Sequence, residues 1–249
     1  MSKKKWQNYE IGQCIGRGLQ SQVFRGYDIA NKREVAIKKR VNIKGAEKEV
    51  DIMRNYGQHP ALPKLYDYFT FKHRAYIIME YIDGEPLGRG RKVKKKNEKD
   101  ALEITVNVLR ALGHLHKHNI LHGDTLPKNV MTLKGQQNSI KIIDFGFSFK
   151  KGKAGVFKGK KWFGKVTGKP IELREQFLLL DDTTDIYVAA FLCVSLLNGH
   201  QPQWDEKDGR HIFNLENSRL QAIMEKAMSK EKAFRYSTTE AFIYALEQS

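Results

Sequence analysis

Residues 120–146 read ILHGDTLPKNVMTLKGQQNSIKIIDFG. Two carboxylates and one amide, Asp124, Asn129 and Asp144, lie in predicted loops of this stretch, and a polar turn at 134–139 separates two predicted strands. Oxygen ligands of this kind suit Mg²⁺, and a carboxylate can also orient a hydroxyl group for proton transfer. The stretch therefore predicts a strand–turn–strand unit whose polar residues suit phosphoryl transfer.

Two tripeptides carry most of this signal, His-Gly-Asp at 122–124 and Asp-Phe-Gly at 144–146. Either one alone could be an ordinary turn, because aspartate and glycine are favoured in the turns of any protein. Together, and in this order, they resemble the catalytic loop and the metal-binding motif of protein kinases. The chain is most similar to eukaryotic-like (Hanks-type) kinases, in particular small bacterial Ser/Thr kinases, over residues 9–246.

Composition is that of a globular protein, with 41% hydrophobic and 10% aromatic residues in a chain of 249. The 44 basic residues exceed the 28 acidic ones by 16, which favours anionic partners, including polyanions, although no specific nucleic-acid motif is present. Cys14 and Cys193 support neither a disulfide framework nor a zinc site. The longest apolar run, at 188–197, is too short to span a membrane. A soluble protein of the reducing cytoplasm is expected.

A glycine-rich hairpin pattern occupies residues 15–26, with Ser21 at the position of the usual third glycine. The apolar strand Val-Ala-Ile-Lys at 35–38 follows at the interval found in protein kinases. By this resemblance Lys38 holds the α and β phosphates of ATP, and Val23 and Ala36 enclose the adenine. The nucleotide-binding residues that the resemblance implies are Ile15, Gly16, Gly18, Ser21, Val23, Ala36, Lys38, Met79, Glu80, Ile82 and Met131.

Residues 45–56 have helical spacing, with Glu49 one turn before Met53. The resemblance implies that Glu49 pairs with Lys38, and Glu47 is the rival candidate. The connection from Lys38 to this helix is shorter than is usual in the family. A trimmed or shifted helix is therefore expected.

Two further apolar stretches, at 59–69 and 75–79, predict the last strands of the N-terminal sheet. The segment that follows, at 80–84, resembles the kinase hinge, with Met79 as the gatekeeper. Such a hinge binds adenine through the backbone groups of Glu80 and Ile82. The identity of their side chains is therefore expected to matter little.

The second half of the chain is predicted to be mainly helical. A helix at 98–118 ends in alternating histidines, among them His116, which suit a helix C-terminus and lack the spacing of metal ligands. A helix at 185–197 begins with Asp185, which by resemblance ties down the backbone of the catalytic loop. Between the hinge and these helices, residues 87–96 are predicted to form a basic loop.

The resemblance implies an α+β fold of two lobes forming a single protein kinase domain, 1–249. The N-lobe, 9–79, is expected to hold a five-stranded antiparallel sheet and one helix. A hinge at 80–84 leads to a mainly helical C-lobe, 85–249.

The catalytic residues that the resemblance implies are Asp124, Lys128, Lys38 and Glu49, and the metal ligands are Asn129 and Asp144. Asp124 orients the substrate hydroxyl group, and Lys128 neutralises the transferred phosphate. The loop departs from the family pattern at two positions. Gly123 replaces an arginine that in many members binds a phosphorylated activation segment, and Leu126 replaces a lysine.

The segment 147–176 resembles the kinase activation segment and is strongly basic. Against Glu172 and Glu175 it carries Lys150, Lys151, Lys153, Lys158, Lys160, Lys161, Lys165, Lys169 and Arg174. This charge predicts an acidic protein substrate or another polyanion as its partner. One of the two glutamates is expected to pair with Arg235.

Control by phosphorylation of this segment is not expected. The only hydroxyl residue between Ser148 and Thr183 is Thr167. Gly123 has no side chain with which to bind a phosphate there.

The resemblance implies a Ser/Thr protein kinase that uses ATP and Mg²⁺, with Mn²⁺ as a substitute metal. Two alternatives stay open. The His-Gly-Asp motif also resembles the small-molecule kinases that act on aminoglycosides and choline. The departures at Gly123, Leu126 and Ser21, with the missing Ala-Pro-Glu motif, suggest a pseudokinase scaffold. The retained Lys38, Asp124, Asn129 and Asp144 argue against it.

Overall fold

The sheet of the N-terminal lobe has five antiparallel strands in the order β1-β2-β3-β5-β4. The strands are β1 (Tyr9–Arg17), β2 (Ser21–Asp28), β3 (Arg33–Arg40), β4 (Leu65–Phe71) and β5 (Arg74–Glu80). The computed structural model describes residues 8–18, 20–90, 92–151 and 180–249. The predicted five-stranded antiparallel sheet is confirmed.

Alternation along β3 separates the two faces of this sheet. Val35 and Ile37 belong to an apolar cluster on one face. Because side chains alternate along a strand, Lys38 and Arg40 point to the opposite face. Helix α1 packs on that second face.

Helix α1 (Ile43–Asn55) is separated from β3 by two residues. Its N-cap is Asn42, whose side chain accepts a hydrogen bond of 3.0 Å from the backbone N–H of Gly45. The buried stripe of the helix comprises Ala46, Glu49, Val50, Ile52 and Met53. The helix predicted at 45–56 is confirmed, with ends that differ by one or two residues.

The strand predicted to start at residue 59 begins only at Leu65. Residues 59–64 form turns and irregular structure instead. Pro60 and Pro63 lie in this stretch, and a proline has no backbone N–H to donate to a neighbouring strand.

The C-terminal lobe is mainly helical, as predicted. The helices among its described residues are α2 (Glu98–Lys117), α3 (Asp182–Asn198), α4 (Ser218–Ala227) and α5 (Thr239–Glu247), and a short hairpin joins β13 (Gln203–Asp205) to β14 (Arg210–Ile212). All residues of α3 from 184 to 196 are buried, because this apolar helix crosses the core of the lobe. Helix α3 starts three residues before the predicted position, at a capping box formed by Asp181.

Small sheets hold the loops that carry Asp124 and Asp144. One has three strands, β6 (Gly84–Pro86), β10 (Val130–Leu133) and β11 (Ile140–Ile142), in the order β11-β10-β6. The others pair β9 (Ile120–Leu121) with β12 (Phe149–Lys150) and β7 (Gly88–Arg89) with β8 (Lys92–Val93). The basic stretch predicted as a loop at 87–96 thus contains a short hairpin. In the described parts of the chain, no helix is both long and apolar enough to cross a membrane.

Candidate active site

The strand register places four of the predicted nucleotide-binding residues on one face of the N-lobe sheet. Val23 lies opposite Lys38 across β2 and β3, and Ala36 lies opposite Met79 across β3 and β5. Residues paired across strands share a face, as do positions i and i+2 of one strand. An apolar surface with a cation at one end results.

The hairpin that joins β1 to β2 lies beside this surface. Gly16 is paired with Val23, and the backbone N–H of Gly18 donates to the carbonyl oxygen of Ser21 at 2.8 Å. Ile15 is 49% exposed on β1. The hairpin that the sequence predicts is formed, and nucleotide binding by these residues stays a prediction.

Lys38 lies between two carboxylates at the inner end of the apolar surface. Its Nζ is 2.6 Å from Oε1 of Glu49 and 2.9 Å from Oδ1 of Asp144. Glu49 is 1% exposed, whereas the rival candidate Glu47 is exposed to solvent. The structure therefore brings Lys38, Glu49 and Asp144 together, and the short connection to helix α1 has not displaced Glu49.

The surroundings keep Lys38 and Asp144 charged. Burial acts to lower the pKa of Lys38, but the neighbouring Asp144 and Glu49 outweigh it and raise this pKa. Burial acts to raise the pKa of Asp144, but Lys38 and a hydrogen bond from the backbone N–H of Gly146 hold that pKa well below the usual range. Asp144 is thus an ionised carboxylate, and its side chain is still 42% exposed.

In the catalytic loop, Asn129 and Lys128 both contact Asp124. Oδ2 of Asp124 accepts a hydrogen bond of 2.7 Å from Nδ2 of Asn129 and lies 3.2 Å from Nζ of Lys128. Nδ2 of Asn129 also donates to the carbonyl oxygen of Asp124 at 2.8 Å. The Asp124 side chain is 2% exposed and that of Lys128 is 51% exposed. The three predicted residues form one cluster, from which Lys128 extends into solvent.

The predicted strand–turn–strand unit brings this loop next to Asp144. Val130 is paired with Ile142, and the backbone N–H of Ile143 donates to the carbonyl oxygen of Asn129 at 2.8 Å. Asp144 follows with a φ of 67°, in the left-handed region. Such a conformation is unfavourable for most residues with a side chain, although aspartate adopts it more readily than most.

Asp185 ties down the backbone of the catalytic loop. Its fully buried carboxylate accepts hydrogen bonds from the backbone N–H groups of Gly123, at 2.7 Å, and His122, at 2.9 Å. Nε2 of His116 lies 2.9 Å from Oδ2 of the same carboxylate. Burial acts to raise the pKa of Asp185, but His116 and the Gly123 N–H outweigh it and lower this pKa. His116, interpreted from sequence only as a cation at a helix end, is therefore a buried partner of Asp185.

Packing explains the glycine at position 123. Gly123 has a φ of 71°, and a Cβ atom there would lie 3.3 Å from Cε2 of Phe149. Phe149 is held in β12 by its pairing with Leu121. An arginine at this position would meet both an unfavourable backbone conformation and the aromatic ring.

The side chain of Glu80 makes structural contacts that the sequence did not indicate. Its carboxylate accepts a hydrogen bond of 3.0 Å from the backbone N–H of Lys64 and lies 2.7 Å from Nζ of Lys141 on β11. It thereby links the end of β5 to the C-terminal lobe. Binding of adenine through the backbone of Glu80 stays a prediction.

The remaining predicted nucleotide-binding residues also lie near the hinge. Ile82 is 9% exposed. Met131 on β10 is paired with Pro86 on β6, which directly follows the hinge. Their contact with adenine stays a prediction.

Most of the predicted activation segment lies outside the described residues. This applies to Thr167, Glu172, Glu175 and the basic residues from Lys153 to Arg174. Arg235 is described and buried, and its Nε donates to the carbonyl oxygen of Ser229 at 2.8 Å. Its pairing with either glutamate stays a prediction.

The sequence interpretation missed Arg40. Nη1 of Arg40 lies 2.6 Å from Oε2 of Glu49, the oxygen that Lys38 does not contact. One signal was present, because a residue two positions after Lys38 on the same strand shares its face. The helical partner was not predictable from that spacing.

In this site a lysine lies between a helix glutamate and a loop aspartate, and a second loop holds an aspartate–asparagine pair. This arrangement is typical of protein kinases. Comparison of the sequence with known protein families agrees with this interpretation of the site. The family model described as the protein kinase domain matches residues 9–246, and the chain belongs to this family.

Curated relatives include protein kinases of several organisms. The chain is 29% identical to a probable myosin light chain kinase of Dictyostelium discoideum over 81% of its length and 65% of the relative. It is 28% identical to a probable serine/threonine-protein kinase of Streptomyces coelicolor over 93% of its length and 38% of the relative. It is 31% identical to an Aurora kinase of Debaryomyces hansenii over 83% of its length and 51% of the relative. The chain thus spans between 38% and 65% of the length of these three relatives.

A solved structure shows the same fold. The Cydia pomonella granulovirus kinase PK-1 superposes with a TM-score of 0.79, covering 97% of this chain and 94% of the viral one, at 17% sequence identity. The predicted two-lobed protein-kinase-like fold is confirmed.

Proposed function

We propose that this chain is a protein kinase that transfers the γ-phosphoryl group of ATP to serine or threonine hydroxyls of proteins, with Mg²⁺ as the metal ion. One observation carries the proposal: Lys38 Nζ is shared between Glu49 at 2.6 Å and Asp144 at 2.9 Å. This arrangement orients an ammonium group toward nucleotide phosphates while keeping a metal-binding carboxylate beside them. The resemblance to relatives named as serine/threonine kinases supports the choice of acceptor.

The residues present fit a nucleotide and a divalent cation. Asp144 is ionised, because Lys38 and the Gly146 N–H hold its pKa low, and a carboxylate oxygen suits a hard cation. Asn129 uses its Nδ2 to bind Asp124, so its amide oxygen is the atom suited to a cation. Asn129 and Asp144 would therefore hold Mg²⁺, which when bound neutralises developing negative charge on the phosphates.

No group of three or more His, Cys, Asp or Glu side chains in the described parts of the chain is arranged to hold a metal ion. Two protein ligands are nevertheless usual for Mg²⁺ beside a nucleotide, since phosphate and water oxygens complete its coordination.

Asp124 is the residue proposed to orient the acceptor hydroxyl group. Its carboxylate is held by the Asn129 amide at 2.7 Å, so the direction of its acceptor oxygens is fixed before substrate binds. Lys128 lies 3.2 Å from the same carboxylate and is half exposed, which leaves its ammonium able to follow the transferred phosphate. Position 126 is a buried leucine, so Lys128 is the cation proposed for this purpose.

An acidic protein substrate or another polyanion is proposed from charge. The formal net charge is +16, and nine basic residues fall within 147–176.

Both cysteines, Cys14 and Cys193, are free thiols, which supports the proposed cytoplasmic location.

A phosphotransfer assay tests the proposal directly. The parental chain is incubated with γ-labelled ATP, Mg²⁺ or Mn²⁺, and a mixture of acidic and basic carrier proteins, with Asp124→Asn as the inactive control. Label on serine or threonine of the acidic carrier, absent from the control, is the expected result. Label on tyrosine would contradict the acceptor, and label only on the basic carrier would contradict the substrate preference.

The same assay separates the two alternatives. The His-Gly-Asp motif at 122–124 favours a small-molecule kinase as the second candidate. Addition of aminoglycosides and choline would then yield labelled small molecules and unlabelled protein. Absence of label from every acceptor under both metals would support a pseudokinase and refute the proposed activity.

A further inference from the structure

Arg40 ends strand β3 and lies against Glu49 in an arrangement that the proposed reaction does not itself require. Its Nη1 is 2.6 Å from Oε2 of Glu49 and 3.2 Å from the carbonyl oxygen of Gly45. The side chains of Arg40 and Glu49 are 12% and 1% exposed. The two oxygens of one buried carboxylate are thus bound by two cations, Lys38 on Oε1 and Arg40 on Oε2.

Arg40 balances the charge of the two carboxylates that Lys38 contacts. Lys38 contacts the carboxylates of both Glu49 and Asp144, so these three groups alone would carry a net charge of about −1. Two carboxylates would then compete for one ammonium group, and uncompensated charge is costly at Glu49, whose side chain is 1% exposed. Arg40 brings the sum to zero, and a guanidinium group does not lose its proton in proteins.

The guanidinium group also joins the sheet to the first turn of helix α1. A Cβ atom at Gly45 would lie 3.2 Å from Nη2 of Arg40, and one at Gly146 would lie 3.4 Å from Nη1. The guanidinium group thus lies close to the backbone at both glycines. Arg40 occupies the space between the start of α1 and the Asp-Phe-Gly loop, and only Val41 and Asn42 separate it from the helix.

We propose that Arg40 is a positioning residue. It holds Glu49, and through Glu49 both helix α1 and Lys38, in the arrangement that phosphoryl transfer needs. This inference rests on the proposed function. It implies that a residue of the strand itself assembles the Lys38–Glu49 pair, in a chain where Gly123 offers no side chain to bind a regulatory phosphate.

Steady-state kinetics of Arg40→Met test the proposal. Removing a cation from a buried carboxylate oxygen is expected to lower kcat by about 10- to 100-fold. The KM for ATP should change by a smaller factor than kcat, because the contacts proposed for adenine are untouched and only the phosphate contact of Lys38 is weakened. The matched control is Lys39→Met, which removes the same charge from the next residue of β3, on the opposite face of the sheet. It should keep parental kcat.

Two further variants separate positioning from loss of fold. Arg40→Lys keeps a cation within reach of Glu49 and is expected to recover most of the lost kcat. Arg40→Gln keeps an amide donor and replaces Arg40→Met if thermal unfolding shows that the latter is not folded at the assay temperature. An Arg40→Lys variant as impaired as Arg40→Met would overturn the proposal.

A double-mutant cycle with Glu49→Gln shows whether Arg40 acts through Glu49. If it does, the double variant should have the kcat of Glu49→Gln alone. Hydrogen exchange of the peptides covering 43–55 supplies a readout that needs no turnover. Arg40→Met and Glu49→Gln should each raise exchange of helix α1, and the double variant should raise it no further.

The two readouts distinguish failure of the inference from failure of the proposed function. A parental chain that transfers no phosphate would refute the function, and the exchange cycle would still decide whether Arg40 holds the helix. An active parent in which Arg40→Met changes neither kcat nor the exchange of α1 would refute the inference. Fully additive losses in the cycle would also refute it, because Arg40 would then act independently of Glu49.

Discussion

Replacing Asp185 with asparagine removes the anion that fastens the catalytic loop. The parental carboxylate is fully buried and accepts hydrogen bonds from the backbone N–H groups of Gly123, at 2.7 Å, and His122, at 2.9 Å. Asparagine keeps one acceptor oxygen and places an NH₂ donor where the other oxygen was. One backbone N–H then faces a second donor in a buried place.

The expected cost follows from these contacts. A hydrogen bond to a charged group contributes about 1.5–3 kcal/mol, and a buried N–H without an acceptor costs a similar amount. Since asparagine still satisfies one of the two N–H groups, we expect Asp185→Asn to lower the free energy of unfolding by about 3 kcal/mol. For a domain of this size that corresponds to a fall in Tm of about 6–12 °C. Because Asp124 follows Gly123 directly, a displacement of about 1 Å is expected to lower kcat roughly 100-fold.

The assay pairs urea unfolding with phosphotransfer kinetics. Asp182→Asn is the matched control, since Asp182 lies on the same helix with a side chain that is 28% exposed. Its carboxylate is ion-paired to Lys151 and lies 3.6 Å from Nδ1 of His116, so the control also reports how much that histidine contributes. A partly exposed ion pair contributes at most about 1 kcal/mol. A loss of stability in Asp185→Asn no larger than in this control would refute the reasoning, as would an unchanged kcat.

The pH dependence has a definite sign. Although burial acts to raise the pKa of Asp185, His116 and the Gly123 N–H lower it below the ordinary value, so folding favours the ionised form. Such a group contributes stability above its unfolded pKa of about 3.9, and this contribution is lost as the pH falls through the folded pKa. The stability difference between the parent and Asp185→Asn should therefore shrink as the pH falls below about pH 4. A difference that stays constant below pH 4 would contradict the electrostatic explanation.

Three further variants test the proposed site. Asp144→Asn should abolish transfer and remove the effect of Mg²⁺ on nucleotide affinity, because its carboxylate is the charged protein ligand proposed for the metal. Calorimetric titration of ATP with and without Mg²⁺ measures this effect, and an unchanged effect would contradict the assignment. Lys38→Met should lower kcat by roughly 100-fold or more. The circular dichroism spectrum should stay unchanged, since Arg40 still pairs with Glu49. Retention of most activity would mean that another cation binds the phosphates. Thr167 lies outside the described residues, and Thr167→Ala should keep near-parental activity after phosphatase treatment of both proteins. A large loss of activity, together with stoichiometric phosphate on Thr167 of the active parent, would contradict the prediction that activity is independent of phosphorylation of this segment.

Much of the site could be predicted from the sequence because its chemistry requires fixed residue types in short, ordered motifs. Asp124 and Asn129 are five residues apart and meet within one loop, where Nδ2 of Asn129 binds the carboxylate at 2.7 Å. The strand–turn–strand unit that leads to Asp144 was predictable from its apolar runs and polar turn. Local geometry decides these contacts, and local geometry is what sequence spacing reports.

Proline positions decided an element boundary that hydrophobicity alone misplaced. The stretch from residue 59 looks apolar enough for a strand, but β4 begins only at Leu65. Pro60 and Pro63 cannot donate backbone hydrogen bonds, and this outweighs the apolar side chains around them.

The sequence by itself determined the family, the five-stranded sheet, the helical second lobe and the polar residues of the two loops. Only the tertiary structure decided which side chains support them. The sequence favoured Glu49 over Glu47 as the partner of Lys38, and the rotation of helix α1 against the sheet settles that choice and also brings Arg40 to Glu49. His116 reaches Asp185 across 69 residues of sequence. Contacts of this kind depend on the packing of separate elements, which neither periodicity nor motif spacing encodes.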